Sequence, residues 1–251
     1  PRVVPCYDGA IYMDDLDPED APRGIDAVLA NCAHDHALGY HAFKLKIGRG
    51  YRWAKPEAGL QRDIAVTRTV REHYPGCAIL VDANDGYTYE QLIQYLDGVV
   101  DCDLFWIEEP FPESRAALEG LRRYLSAHSP RTLVADGEAH PDVPFLLELA
   151  RDGLVDVLLM DVVGLGLTTW RRLMPALREL GVRASPHAWG DPLKTLYAAQ
   201  IAAGLGNVVT VEGVPGFAES IDCTEYVLEE GLLTVPDLPG WGISPPRAPV
   251  R

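Results

Sequence analysis

The sequence predicts an α/β protein folded as a TIM-type (β/α)8 barrel, and three observations carry that expectation. Eight short apolar runs alternate with seven longer stretches in which apolar residues recur every three or four positions. Strands that alternate with helices pair in parallel through right-handed crossovers, and eight such units in 251 residues fit the size of a barrel. Polar and charged residues close nearly every run, all around the set, whereas an open doubly wound sheet would gather them at one switch point.

The runs are taken in chain order. VVPCYDG (3–9) opens the set and precedes an amphipathic stretch at 26–38, and AFKLKIG (42–48) precedes one at 57–73. AILVDAN (78–84) and LFWIEEP (104–110) are followed by helix-spaced segments at 88–100 and 113–127. TLVADGE (132–138), VDVLLMD (155–161) and VRASPHAW (182–189) lead into segments at 142–151, 167–180 and 191–204, and VVTVEGV (208–214) ends the series. Residues 1–215 are therefore expected to form the barrel. The remainder, 216–251, is rich in Pro and Gly and reads as a tail that packs on the barrel or meets a capping domain lacking from this chain.

Composition narrows the function. A formal charge of −15 argues against nucleic-acid binding, which needs clustered Lys and Arg, and part of that charge is available as metal ligand. Five dispersed cysteines, odd in number and without a CxxC pair, suggest neither a disulfide framework nor a zinc knuckle, and fit a cytoplasmic protein. No apolar run approaches the roughly 20 residues a membrane span needs. A small-molecule enzyme able to form a homo-oligomer is expected.

In a barrel the strand ends converge on one mouth. They present Lys44 and Lys46, then Asp82 and Asn84, Glu108 and Glu109, Asp136 and Glu138, then Asp161, His187 and Glu212. Two lysines at alternate positions of one apolar strand share a face and repel each other. Carboxylates from three consecutive strands raise one another's pKa, and a divalent cation resolves that conflict. Oxygen-only ligation by Asp82, Glu108 and one of Asp136 or Glu138 suits Mg2+, with Mn2+ as a substitute. Strand alternation admits only one of Glu108 and Glu109 to the lumen and favours Glu108, with Glu109 supporting or facing outward. The same rule puts Asp136 and Glu138 on one face and leaves them unseparated; Glu138 is preferred because it lies nearer the strand end. Each residue also has a plainer reading: Lys-x-Lys as a solvated strand end, Asp161 as a helix cap, His187 as a structural histidine, Glu212 as a partner for a neighbouring lysine. Their ordered occurrence at successive strand ends favours a site.

The motifs FKLKIG, LVDAN, WIEEP, VADGE, MDVVGLGLTT, SPHAWG and TVEG, with PDLPGWGI in the tail, resemble the catalytic barrel of the enolase superfamily, within the mandelate racemase group of the mandelate racemase and muconate lactonizing enzyme family. The resemblance implies a (β/α)7β barrel and one essential Mg2+ held by Asp82, Glu108 and Glu138. It implies Lys46 as one acid/base catalyst and His187 with Asp161 as the other. Lys44 would bind a substrate carboxylate, Asn84 would contact substrate, and Glu212 would hydrogen-bond the developing enediolate. It further implies an N-terminal capping domain, which this chain does not show.

The expected chemistry is abstraction of the proton α to a carboxylate, with the charge of Lys44 keeping Lys46 neutral enough to act as base. Dehydration of a sugar acid to a 2-keto-3-deoxy acid is the favoured outcome; racemisation or epimerisation of a 2-hydroxy acid is the alternative. A phosphate-binding barrel using GLGLTT leaves the carboxylate series unexplained, and a non-catalytic metal-binding barrel is the third possibility. Arg49, Arg52 and Lys55 read as a solvated basic loop, with a second substrate carboxylate as the rival partner.

Overall fold

The computed structural model describes residues 2–19, 21–138, 140–216 and 221–245. Eight parallel staves surround one lumen: β1 (Arg2–Ile11), β2 (Ala42–Lys46), β3 (Ala78–Asp82), β4 (Trp106–Glu108), β5 (Leu133–Asp136), β6 (Val157–Leu158), β7 (Arg183–Ala184) and β8 (Val211–Gly213). Consecutive strands β1 to β7 are hydrogen-bonded neighbours, β8 pairs with β1, and a parallel bridge between Ala184 and Val208 closes the ring. The crossovers run through α1 (Ile25–Ala37), α2 (Arg49–Arg52) with α3 (Pro56–His73), α4 (Tyr89–Gly98), α5 (Arg115–His128), α6 (Val143–Arg151), α7 (Leu167–Leu180) and α8 (Pro192–Leu205). The mostly parallel sheet with helices outside is the TIM-type barrel that strand and helix alternation predicts.

Local chemistry sets the helix starts. Thr88 and Gln91 form a capping box at α4, and the side chains of Ser114, Asp142 and Asp191 accept from the first-turn amides of α5, α6 and α8. Alternation along each stave separates two apolar layers. Tyr7, Leu80, Trp106, Ala135, Val157 and Leu159 fill the lumen, while residues such as Phe43, Ile79, Ile107 and Val134 pack outward against the helices.

Two short strands follow the barrel. β9 (Val227–Glu229) and β10 (Leu232–Val235) form an antiparallel hairpin, and β10 pairs with the first residues of β1, from Arg2 to Pro5. The end of the expected tail, 246–251, and residues 217–220 lie outside the described residues.

The structure departs from the sequence reading at two places. Arg49 is not part of a solvated loop: it is fully buried in α2, ion-paired to Asp15 and Asp63. Asp136 and Glu138 do not share a face, because Gly137 between them has φ +113° and breaks the strand pleat. Asp136 follows lumenal Ala135 and turns away from the lumen toward Glu109, Asp85 and Glu113, and Glu138 enters the lumen from beyond the strand end.

Candidate active site

At the carboxyl ends of the staves the side chains of Asp82, Glu108 and Glu138 each place one carboxylate oxygen within 4.8 Å of the others. Strand register explains two of them: Lys46 pairs with Asp82 across β2 and β3, and Asp82 with Glu108 across β3 and β4, so all three project at one level. The third depends on the Gly137 turn and on Glu109, whose Oε1 accepts from the Glu138 backbone N–H at 2.8 Å. Glu109 itself has φ +39°, which carries its carboxylate sideways to hold this turn and, at 3.4 Å, the amide of Asn84.

Lys44 stands at the centre of the acids. Its ammonium lies 2.9 Å from Glu108 Oε1, 3.2 Å from Asp82 Oδ2 and 2.8 Å from Glu212 Oε1. Lys46 contacts Asp82 Oδ2 and donates to Asn84 Oδ1 at 2.8 Å. The two lysines are thus separated by carboxylate charge rather than left to repel. Burial favours a neutral Lys46, but Asp82 beside it, together with Glu138 and Glu108, reverses that, so its pKa rises despite the opposing push of Lys44. Burial pushes the Asp82 carboxyl up while Lys46 and Lys44 draw it below the usual carboxylate range. Glu108 goes the other way: burial and then Asp82 raise it well above its ordinary value, although Lys44 opposes them.

On the far side of the acids His187 lies between two carboxylates, with Nδ1 3.0 Å from Asp161 Oδ2 and Nε2 3.2 Å from Glu138 Oε1. Burial disfavours its charged form, and the hydrogen bond to Glu138 together with the charges of Glu212 and Glu138 more than compensates, so its pKa is raised. Asp161 is no helix cap, since α7 begins at Leu167 after Gly166; its Oδ1 instead accepts from the N–H groups of Val163 and Gly164, at 2.9 and 2.7 Å. Burial works against its charge, but those amides, Lys194 and His187 hold the carboxyl down at about 2. Glu212 is fully buried, and its Oε2 accepts from the backbone of Ala188 and Trp189 at 2.6 and 3.0 Å.

The nine residues to which the family resemblance gives site roles therefore meet at one mouth, while Asp136, also named at a strand end, turns away. Others were missed. Lys194, on α8, donates to Asp161 Oδ2 at 2.9 Å, and nothing in its sequence context marks it. Trp106 donates its indole N–H to Glu108 Oε2 at 3.0 Å; its place two residues before Glu108 was the available signal. Gly9 leaves room for Glu212, since a Cβ there would lie 2.6 Å from Oε1. A cavity of about 700 Å³ opens beside Lys46 and Asn84, between residues 12–18 and the segment after β2.

The oxygen-only donor set fits a hard divalent cation, and Glu138 Oε2 is buried without a hydrogen-bond partner, as a ligand awaiting one would be.

Comparison with known proteins agrees with this geometry. The profile of the enolase C-terminal domain-like family matches residues 27–248. D-galactarolactone cycloisomerase from Agrobacterium fabrum is 32% identical over 225 residues, covering 84% of this chain and 56% of that protein. A Geobacillus sp. galacturonate dehydratase, crystallised with D-galacturonate and 5-keto-4-deoxy-D-galacturonate, superposes with a TM-score of 0.92 at 35% identity, over 97% of this chain and 66% of that one. A mandelate racemase/muconate lactonizing protein from Geobacillus sp. Y412MC10, complexed with magnesium and tartrate, gives 0.90 at 35% identity, over 98% and 64%. The chain thus spans about half to two thirds of the length of these relatives.

Proposed function

The chain belongs to the enolase superfamily, in its C-terminal domain-like family, and from that premise we propose that it forms the catalytic barrel of an acid-sugar dehydratase. The observation that carries this reading is the carboxylate cluster with a lysine on one side and a histidine–aspartate pair on the other: Lys46 touches Asp82, and His187 touches Glu138. The substrate is a small carboxylate, either a sugar acid or another 2-hydroxy acid.

Asp82, Glu108 and Glu138 would hold Mg2+, or Mn2+ in its place, and the ion supplies positive charge to a carboxylate whose α-proton is being removed. Lys44, enclosed by three carboxylates, is held as a cation and adds charge at the same end. Burial disfavours the Lys44 cation, and Glu108 and Glu212 overcome that, raising its pKa well above the ordinary value. Lys46 takes or returns a proton on its face, and Asn84 orients its ammonium through the 2.8 Å hydrogen bond. His187, oriented by Asp161, gives its proton to a departing β-hydroxyl, which leaves as water. The resulting enol tautomerises to the 2-keto-3-deoxy acid. With no β-hydroxyl in reach, the same two groups exchange the α-proton across opposite faces and racemise the substrate. The relatives span both reaction classes, one being a dehydratase and one an L-Lys-D/L-Arg epimerase.

Four buried cysteines, all unpaired, and the acidic sequence support a cytoplasmic enzyme, and no helix among the described residues is long and apolar enough to cross a membrane. The test is a screen of D-galacturonate, D-galactonate and related sugar acids with Mg2+, read by keto-acid formation. Epimerisation without loss of water would replace the dehydratase reading by the racemase one. If neither reaction occurs with any acid, the barrel is a non-catalytic metal-binding one.

A further inference from the structure

Arg49 is among the most deeply buried charges of the protein, at 0% exposure, and no part of the chemistry above uses it. All three of its guanidinium nitrogens donate, and their acceptors lie on three separate segments. Nε and Nη2 reach Asp15 Oδ1 at 3.1 and 2.5 Å, in the turn that follows β1. Nη1 reaches Asp63 Oδ1 on α3 at 2.7 Å and also the backbone carbonyl of Lys46 at 2.8 Å. Asp63 is bound in turn by Tyr87 and by the amides of Gly48 and Arg49. Three charges taken out of water are a poor source of stability, because well-packed apolar residues in their place are often as stable or more so. What the planar fork provides is geometry: it joins a turn, a helix and a strand end at fixed distances, which an ammonium cannot do.

The joined pieces are the two walls of the cavity beside the site. Residues 12–18 form one wall; Lys46, Ile47 and Gly48 form the other. On the first wall Tyr12 sets its ring 5.9 Å from the Lys46 ammonium and 4.9 Å from the ring of Trp189, across the mouth. We propose that Arg49 is a positioning residue: by clamping Asp15, Asp63 and the Lys46 carbonyl together it sets where the Lys46 ammonium stands relative to Tyr12 and the cavity. The functional half of this inference rests on the proton-transfer role assigned to Lys46; the structural half does not.

The experiment is Arg49→Lys in the full-length protein, with Asp15→Asn as a milder variant that keeps the Asp63 contact should Arg49→Lys not fold. Backbone deuterium uptake is measured in metal-free protein. The expected result is a rise of about ten-fold or more confined to residues 12–18 and 46–49. Unchanged uptake there, or a rise spread evenly over the barrel, overturns the proposal. In D2O with Mg2+ and the two C2 epimers of a sugar acid, exchange from the epimer whose α-proton faces Lys46 should fall by about 100-fold while exchange from the epimer facing His187 is kept. Equal loss on both faces contradicts positioning. Should the wild type exchange no proton with any acid, the proposed function has failed, and the uptake measurement decides the clamp by itself.

Discussion

Replacing Lys44 by Met keeps the length of the side chain and removes its charge. The ammonium touches three buried carboxylates at 2.8 to 3.2 Å, and the side chain is only 1% exposed, so no water stands ready to replace it. At an effective dielectric of about 20, each such contact is worth about 5 kcal/mol of attraction. Several kcal/mol per ion of desolvation oppose that sum, and breaking a buried pair from one side leaves a net loss of about 3–5 kcal/mol. The metal-free Lys44→Met protein should therefore unfold with that much less stability near pH 8. Glu108 is already held well above the ordinary carboxylate range by burial and by Asp82, and loss of Lys44 raises it further. The folded variant then binds more protons than the unfolded chain above the ordinary glutamate pKa, so its deficit shrinks as pH falls toward 5. Mg2+ replaces the missing charge, so saturating Mg2+ should recover more stability in the variant than in the wild type. Urea denaturation in EDTA and in Mg2+ measures both. A deficit below about 1 kcal/mol in EDTA, or the same deficit with and without Mg2+, would refute the reasoning.

Glu108→Gln removes one charge from the proposed ligand set and should abolish thermal stabilisation by Mg2+, which for the wild type is expected to reach about 2.7 kcal/mol at a hundredfold excess over Kd; a retained shift would place the ion elsewhere. Gly137→Ala puts a Cβ at φ +113° and 3.1 Å from Leu146 Cδ1, a strain of about 1–3 kcal/mol that also misaims Glu138, so stability and Mg2+ response should fall together. Asp8 is fully buried under α1, where burial and then Asp35 push its carboxyl up to about 9. The wild type should lose stability as pH rises from about 4, where the unfolded carboxyl titrates, to about 9, and Asp8→Asn should not. The stability advantage of Asp8→Asn over wild type should thus grow between pH 5 and pH 8.5, and a constant difference would show that Asp8 is charged throughout.

Strand and helix alternation was legible because each element carries its own period. The seven long helices start and end within two residues of the segments read from spacing alone. The lumenal level of Lys46, Asp82 and Glu108 followed from period-two alternation along undisturbed strands. Asp136 and Glu138 escaped that rule because one glycine at positive φ resets the pleat, and a glycine in a sequence does not announce its φ. Arg49 was misread for a related reason. Its partners Asp15 and Asp63 are 34 and 14 residues away, and only tertiary packing brings them together. The lysine pair was correctly seen as an electrostatic conflict, but the sign of its resolution depends on distances: Asp82 in contact with Lys46 outweighs the repulsion from Lys44. Lys194 is likewise a contact between elements, invisible to local pattern, and alternation offered Glu109 a supporting role without showing that Glu138 is what it supports.

The central claim is that Lys46 and His187 transfer protons on opposite sides of one carboxylate cluster. Exchange of the α-proton in D2O, measured with Mg2+ for each C2 epimer of the sugar acid turned over by the full-length wild type, tests it most directly in Lys46→Met and His187→Asn. The account predicts that each substitution removes exchange on one face and spares the other, with Mg2+ stabilisation intact in both. Exchange surviving on both faces in either variant would contradict it.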